Sequence, residues 1–177
     1  MNTLKDFTTR YTDSPLKTEA GYQLGIAMMN IPDKEAALQQ FQTVIQTSPE
    51  HLFADKSRLQ IARVYLQQNK YSSSIDTLNA LVERRSDDLA AEGINMIAEN
   101  YRALKRYKDA LQAYNDVIQQ YKEYPVQVER ARFGTGETYE LLRDRKQARA
   151  AYNEIIKAPV DPEIRKEAEQ RLKKLRR

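Results

Sequence analysis

The apolar positions of this chain follow the period of an α-helix. In one segment Ile94, Ile97, Ala98 and Tyr101 lie at i, i+3, i+4 and i+7, which places their side chains on one stripe of a helix. A short polar segment follows, and a second apolar stripe of the same period begins at Ala110. The pattern therefore predicts two helices joined by a tight turn, an αα-hairpin.

This helix pair recurs four times. In each first helix a small residue is followed three positions later by a large one, and the small residues are Gly25, Ala62, Ala98 and Gly136, at spacings of 37, 36 and 38. In each second helix a small residue is followed four positions later by a large one, and these pairs are Ala37 with Phe41, Ser74 with Leu78, Ala110 with Tyr114 and Ala148 with Tyr152. Small residues let two helices approach closely where they cross. A fixed period of this length is typical of a repeat array.

The repeated residues resemble the tetratricopeptide repeat. The marks are the Leu24-Gly25 pair, the tyrosines at 65, 101 and 139, the Ala-x-x-x-Phe/Tyr spacing of the second helices, and a closing proline such as Pro49. The resemblance covers residues 18–162 and implies an all-α, right-handed superhelical solenoid of antiparallel helix pairs. The period of 36 to 38 residues is longer than the usual unit of about 34. Together with segment endings such as VIQQYKEYP (117–125), this period is similar to that of bacterial periplasmic, outer-membrane-assembly and Tol-Pal-associated repeat proteins.

The predicted organisation contains four complete repeats and two flanking segments. The opening segment LKDFTTRYTDSP (4–15) resembles the second helix and exit loop YNDVIQQYKEYP (114–125), so the chain is expected to begin within a repeat and to be a fragment of a longer protein. We expect a truncated leading half repeat at 1–17, complete repeats at 18–54, 55–90, 91–128 and 129–162, and a capping helix at 163–177. Pro32 and Asp33 are expected in the turn of the first repeat.

The composition argues against catalysis. The chain has no cysteine and a single histidine, His51. Its residues therefore match no known catalytic combination of nucleophile, base and oxyanion donor. The serines at 72–74 fit a helix start, and Asp87 with Asp88 fits a solvated loop. We predict no enzyme activity, cofactor or metal site. The net charge of +4 gives no ground for a nucleic-acid partner, and no apolar run reaches the length of a membrane span.

Binding is the function that the resemblance implies, in a concave groove lined by the first helix of each repeat. The groove positions carried over from the family are Tyr22, Ile26, Met29, Leu59, Arg63, Leu66, Asn95, Glu99, Arg102, Phe133, Glu137 and Glu140. The apolar members also fit positions that pack against the next repeat, and the sequence leaves both interpretations open. Tyr22 and Ile26 stand where a clamp for chaperone carboxylates requires Lys and Asn, so that partner is not expected.

We therefore expect a scaffold that binds a protein or peptide segment, within a bacterial envelope protein located in the periplasm or at the outer membrane, the cytoplasm being the alternative. Two other functions remain open. One is self-association through Leu4 and Phe7 of the leading half repeat, which would form a homo-oligomer. The other is a regulatory arm of an enzyme or transcription factor.

Overall fold

The fold consists of α-helices throughout the part of the chain that the computed structural model describes, residues 16–30 and 34–175. In chain order these helices are α1 (Lys17–Met28), α2 (Glu35–Thr47), α3 (Leu52–Gln67), α4 (Tyr71–Val82), α5 (Asp88–Ala103), α6 (Tyr107–Gln120), α7 (Pro125–Leu141), α8 (Arg145–Lys157) and α9 (Pro162–Leu175). The predicted all-α class of paired helices is confirmed. We call α1, α3, α5 and α7 the A-helices and α2, α4, α6 and α8 the B-helices.

Two predicted features fall largely outside the described residues. The leading half repeat at 1–17 overlaps them only at Leu16 and Lys17, and Lys17 is the first residue of α1. The turn containing Pro32 and Asp33 lies outside them entirely. Both features stay predictions.

The chain divides into two compact units, Met1–Leu81 and Val82–Arg177. In the first unit α1 packs on α2, α2 on α3, and α1 on α3. In the second unit each of α5 to α8 packs on the next helix, and α7 also contacts both α5 and α9. Tight turns reverse the chain between neighbouring helices. Within the second unit α5, α7 and α9 therefore run parallel to one another and antiparallel to α6 and α8.

The core of the first unit forms where the A- and B-helices cross. Phe41 and Val64 are fully or almost fully buried there, in one cluster with Leu38 and Ile61. Gly25 makes the crossing of α1 and α2 possible, because a Cβ at this position would lie 2.5 Å from Cε1 of Phe41. The small-then-large spacing of the sequence is thus explained by helix contact.

The second unit repeats this arrangement with tyrosines. Tyr114 and Tyr152 are buried, and each belongs to an apolar cluster that joins its own repeat to the next helix. A Cβ at Gly136 would lie 2.5 Å from Cε1 of Tyr152, and a Cβ at Gly134 would overlap the ring of Tyr114. The two glycines of the Gly134-x-Gly136 segment therefore serve packing, each against a different B-helix.

Polar side chains cap the first turns of two of the A-helices. The Nδ1 atom of His51 accepts the Phe53 N–H at 3.2 Å, and an Asp87 oxygen accepts the Ala90 N–H at 3.4 Å. Asp87 also pairs with Arg85, whose hydrogen bond holds the pKa of this carboxyl below its usual range. The interpretation of Asp87 as a simply solvated loop residue is thus wrong: its carboxylate caps α5.

Three A-helices end in the same backbone turn. The carbonyl of the repeat tyrosine accepts the N–H five residues later, from Lys70 to Tyr65 at 2.8 Å, Arg106 to Tyr101 at 2.8 Å and Asp144 to Tyr139 at 2.9 Å. This hydrogen bond identifies a Schellman motif, in which the preceding residue adopts the left-handed conformation. That residue is Asn69 (φ 59°), Lys105 (φ 60°) and Arg143 (φ 60°). Glycine is the residue usually found there, so Lys105 and Arg143 are held in a conformation that side chains disfavour.

This strain predicts a stabilising substitution. Arg143→Gly is expected to raise the free energy of unfolding of the second unit by about 0.5–1 kcal/mol. Glycine removes the steric cost of a Cβ in the left-handed conformation, about 1–2 kcal/mol. The greater conformational freedom of glycine in the unfolded chain offsets about 0.5–1 kcal/mol of this gain. Urea unfolding followed by circular dichroism measures the change. Arg149→Gly is the matched control: Arg149 is an exposed residue inside α8, where glycine costs about 1 kcal/mol. Equal destabilisation by both substitutions would contradict the strain.

Candidate functional site

The A-helix face of the second unit carries a network of ion pairs. Arg102 of α5 pairs with Glu137 of α7. Arg171 of α9 pairs with Glu137 at 3.1 Å and with Glu140 at 3.3 Å. The charged side chains of all four are between 23% and 29% exposed, so the ion pairs are only partly screened by water. The network therefore joins three parallel helices through half-buried charges.

An aromatic layer lies beneath this network. The Tyr152 hydroxyl donates a hydrogen bond of 2.6 Å to Glu140, while its ring is fully buried and lies 5.5 Å from the ring of Phe133. The guanidinium of Arg171 lies 5.9 Å above the Phe133 ring, a distance at which cation–π attraction operates. Burial first, and then the hydrogen bond to Glu140, raise the pKa of Tyr152.

The raised pKa predicts how the fold responds to alkali. Burial also raises the pKa of Tyr114. Because folding keeps both phenols neutral, their contribution to stability is complete below the unfolded-state pKa of about 10 and is lost as pH rises through the folded-state value. In an alkaline titration we expect part of the tyrosinate absorbance to appear together with loss of helical circular dichroism. Tyr152→Phe should reduce that step. Tyr71→Phe should leave it unchanged, because the Tyr71 hydroxyl lies at the surface. An unchanged step in Tyr152→Phe would contradict the role of the buried phenol in alkaline unfolding.

In the second unit the structure brings together four of the six predicted groove residues. Arg102, Phe133, Glu137 and Glu140 lie within the network and its aromatic layer. Glu99 is half-buried on α5. Asn95 is only 5% exposed and its amide donates to the Gln127 carbonyl at 3.0 Å, so a partner could reach it only if α5 and α7 separated.

In the first unit most of the predicted groove residues remain partly open to solvent. Tyr22, Ile26 and Met29 are half-buried side chains of α1 and its end that rest on the apolar cluster. Arg63 and Leu66 of α3 are half-buried as well. Leu59 differs, since only 2% of it is exposed. The accessible part of this face is therefore apolar on α1 and mixed on α3.

Neighbouring rings hold Tyr22 in place. Its ring centroid lies 5.8 Å from that of Phe41 and 5.2 Å from that of Phe53. The Gln60 amide donates to the Tyr22 hydroxyl at 3.4 Å. This side chain is thus oriented by α2 and α3 while part of its surface stays accessible.

Two important residues escaped the sequence reasoning. Arg171 lies on the predicted capping helix, which supplied none of the predicted groove residues. A usable signal exists, because Pro162 follows Pro125 by 37 residues and this places α9 in step with the A-helices. Glu129 carries no comparable signal, since its burial to 1% exposure depends on the loop before α9.

Neither metal binding nor membrane spanning finds support in the described ranges. Across residues 16–30 and 34–175, no group of three or more His, Cys, Asp or Glu side chains is placed to hold a metal ion. None of the helices α1 to α9 combines the length and apolar character needed to cross a membrane.

Comparison with known proteins identifies the family. Residues 1–134 match a tetratricopeptide repeat-like domain, and residues 130–158 match a tetratricopeptide repeat. Since the first match spans well over half of the chain, the protein belongs to the tetratricopeptide repeat-like family. No curated protein sequence matches it significantly.

Several solved structures have a similar fold. BtubC (BKLC) from P. vanneervenii has a TM-score of 0.83 at 12% identity, covering 98% of this chain and 79% of that one. A tetratricopeptide repeat protein from Parabacteroides merdae has a TM-score of 0.74 at 18% identity, covering 98% and 64%. MamA from Desulfovibrio magneticus RS-1, from residue 41 onward, has a TM-score of 0.67 at 20% identity, covering 87% and 80%.

These identities establish the fold and nothing finer. The all-α class of tetratricopeptide solenoids predicted from the sequence is confirmed. Proteins of this family are generally interaction scaffolds, and the matches indicate no catalytic family.

Proposed function

We propose that this protein binds a segment of a partner protein on the exposed faces of its A-helices. The observation that supports the proposal best is the half-buried apolar face of the first unit, formed by Tyr22, Ile26 and Met29 over the apolar cluster. Apolar side chains one helical turn apart suit the anchors of a helical or extended peptide.

The geometry of Tyr22 favours binding with little reorganisation. Its ring is oriented by Phe41 and Phe53, so few rotamers are lost when a partner covers it. Large aromatic anchors of this kind supply much of the binding energy at protein interfaces. The first unit would thus provide affinity.

The face of the second unit favours a cationic segment of the partner. Arg171 is surrounded by Glu137, Glu140 and Glu167, the last at 3.4 Å. With Arg102 included, these residues carry three carboxylates and two guanidiniums. A Lys or Arg of the partner could pair with the carboxylate that exceeds the number of guanidiniums. An acidic side chain of the partner could pair with a guanidinium only by displacing a carboxylate that already binds it. This face would therefore select among partners more than it anchors them.

Site-specific photo-crosslinking tests the proposal. A photoreactive residue at Met29 should capture a partner protein that the same residue at Gln39, exposed on B-helix α2, does not capture. With the partner segment synthesised, Ile26→Asp should lower affinity on the order of tenfold, while Gln39→Asp should leave it unchanged. Equal capture from both positions, or equal affinity of both variants, would exclude the A-helix face.

The cell-envelope context is part of the same proposal. It is supported by the period of 36 to 38 residues and by the similarity of segment endings to bacterial envelope repeat proteins. Fractionation of cells that express the native gene should recover the protein with the periplasm or the outer membrane. Recovery with the cytoplasm would refute this context without affecting the binding face.

A further inference from the structure

One edge of the second unit gathers helix ends of the same orientation. Because α5, α7 and α9 run parallel, their C-terminal ends lie at this edge, together with the first turns of α6 and α8. A cavity of about 520 Å³ lined by Arg145, Lys146, Arg149 and Leu175 confirms that the end of α9 meets the start of α8. We call residues 104–109, 141–146 and 173–175 the basic edge.

The basic edge concentrates positive charge. Its residues include eight Lys or Arg and two Asp, a net charge of +6, whereas the whole chain has +4. Both aspartates are already engaged: Asp109 pairs with Arg106 at 2.7 Å, and Asp144 accepts the Gln147 N–H at 3.1 Å. The fold therefore brings the cations of three separate segments to one edge.

Most of these cations are available to a ligand. Among the described residues, Lys105, Arg143, Arg145 and Lys146 pair with no carboxylate. Lys105 and Arg143 also occupy the left-handed positions at which glycine would be unstrained. Backbone strain of this kind persists where the surrounding structure imposes it and is often found at functional positions.

Exposed leucines lie among the cations. Leu104, Leu141 and Leu142 are 37%, 54% and 45% exposed. Leu104 and Leu142 are the residues that immediately follow α5 and α7, so the repeat places them at equivalent points of one edge. Leucines flanked by Lys and Arg combine apolar insertion with electrostatic attraction to anionic lipid.

We propose that the basic edge docks on an anionic phospholipid surface. The leucines enter the boundary between headgroups and acyl chains, and the surrounding Lys and Arg contact lipid phosphates. A nucleic acid would use the cations but not the leucines, because its phosphate backbone offers no apolar phase. This inference does not depend on the partner-binding face, since the two involve different residues.

Vesicle flotation with the whole chain tests the inference. Vesicles of phosphatidylcholine mixed with phosphatidylglycerol should bind the protein at low ionic strength, and vesicles of phosphatidylcholine alone should not. Lys105→Glu with Arg143→Glu should lower the partition coefficient by tenfold or more, since each basic residue near the surface contributes roughly fivefold. Leu141→Ser with Leu142→Ser should lower it by a similar factor. Circular dichroism verifies that each variant remains helical.

The matched control changes the net charge equally elsewhere. Lys122→Glu with Arg130→Glu alters two exposed cations outside the basic edge and should retain binding. Loss of binding in this control, or absence of binding to phosphatidylglycerol vesicles, would overturn the inference. Unchanged vesicle binding in either the charge variant or the leucine variant would also overturn it, and so would tighter binding of the wild-type chain to DNA than to vesicles.

Discussion

Gly136→Ala is expected to lower the free energy of unfolding of the second unit by about 2 kcal/mol. The added Cβ would lie 2.5 Å from Cε1 and 2.6 Å from Cζ of Tyr152, whose ring is fully buried and whose hydroxyl is bonded to Glu140. Overpacking of this kind costs up to about 3 kcal/mol, and the higher helix propensity of alanine offsets about 1 kcal/mol. Urea unfolding monitored by circular dichroism measures the net change.

The chain itself suggests the compensating substitution. In the second repeat an alanine, Ala62, occupies the position of Gly136, and Leu78 occupies that of Tyr152; both are fully buried. In the Gly136→Ala background, Tyr152→Leu should therefore cost less than it does in the wild-type protein, a positive coupling on a double-mutant cycle. Additive losses would mean that the close approach of Gly136 to Tyr152 does not determine stability.

Glu129→Ala is expected to lower the free energy of unfolding by about 3 kcal/mol. The carboxylate is 1% exposed and accepts the N–H groups of Val160 at 2.8 Å and Asp161 at 2.7 Å. Two charge-assisted hydrogen bonds are lost, and two backbone donors are left to find water. Amide hydrogen exchange should accelerate at Val160 and Asp161, where α9 is attached.

Two further variants delimit this effect. Glu129→Gln keeps one acceptor oxygen but points an amide donor at a backbone donor, so an intermediate loss of about 1–2 kcal/mol is expected. Glu154→Gln removes an exposed carboxylate of α8 that pairs with Lys157 at the surface and should leave stability unchanged. If Glu129→Ala behaves like Glu154→Gln, the buried carboxylate does not hold the loop before α9.

Two properties meet at Arg143. Its left-handed conformation predicts that glycine stabilises the fold, while its place on the basic edge predicts that the same substitution weakens vesicle binding. A stabilising change that reduces function is the expected pattern when strain is retained at a functional position.

The helices and their pairing were predictable because both follow from local patterns. The 3.6-residue period of Ile94, Ile97, Ala98 and Tyr101 identifies one face of α5, and recurrence of small residues at helix crossings identifies the repeat. The partners of Gly25 and Gly136 also follow from the sequence, since Phe41 and Tyr152 each lie sixteen positions later. These relations lie within one repeat, where the intervening turn is short.

The ion-pair network on the A-helix face of the second unit was harder to predict from the sequence. Arg102, Glu137 and Glu140 could be assigned to the A-helix face by their place in the repeat, but their shared partner Arg171 lies 31 to 34 residues beyond the glutamates. Asn95 and Leu59 occupy the same repeat position as Phe133, and the structure buries the first two. Which members of an equivalent set stay accessible depends on the side chains of the neighbouring helix.

The sequence by itself determined the helix pairs, their period and the class of fold, because each is set by spacings within about 40 residues that recur along the chain. Tertiary structure alone decided which glutamates Arg171 pairs with, that Glu129 is buried against backbone donors, and that cations from three segments form one edge. Those outcomes depend on which helix ends are brought together. The direction and packing of the helices determine which ends meet, and no single segment of the sequence encodes this arrangement.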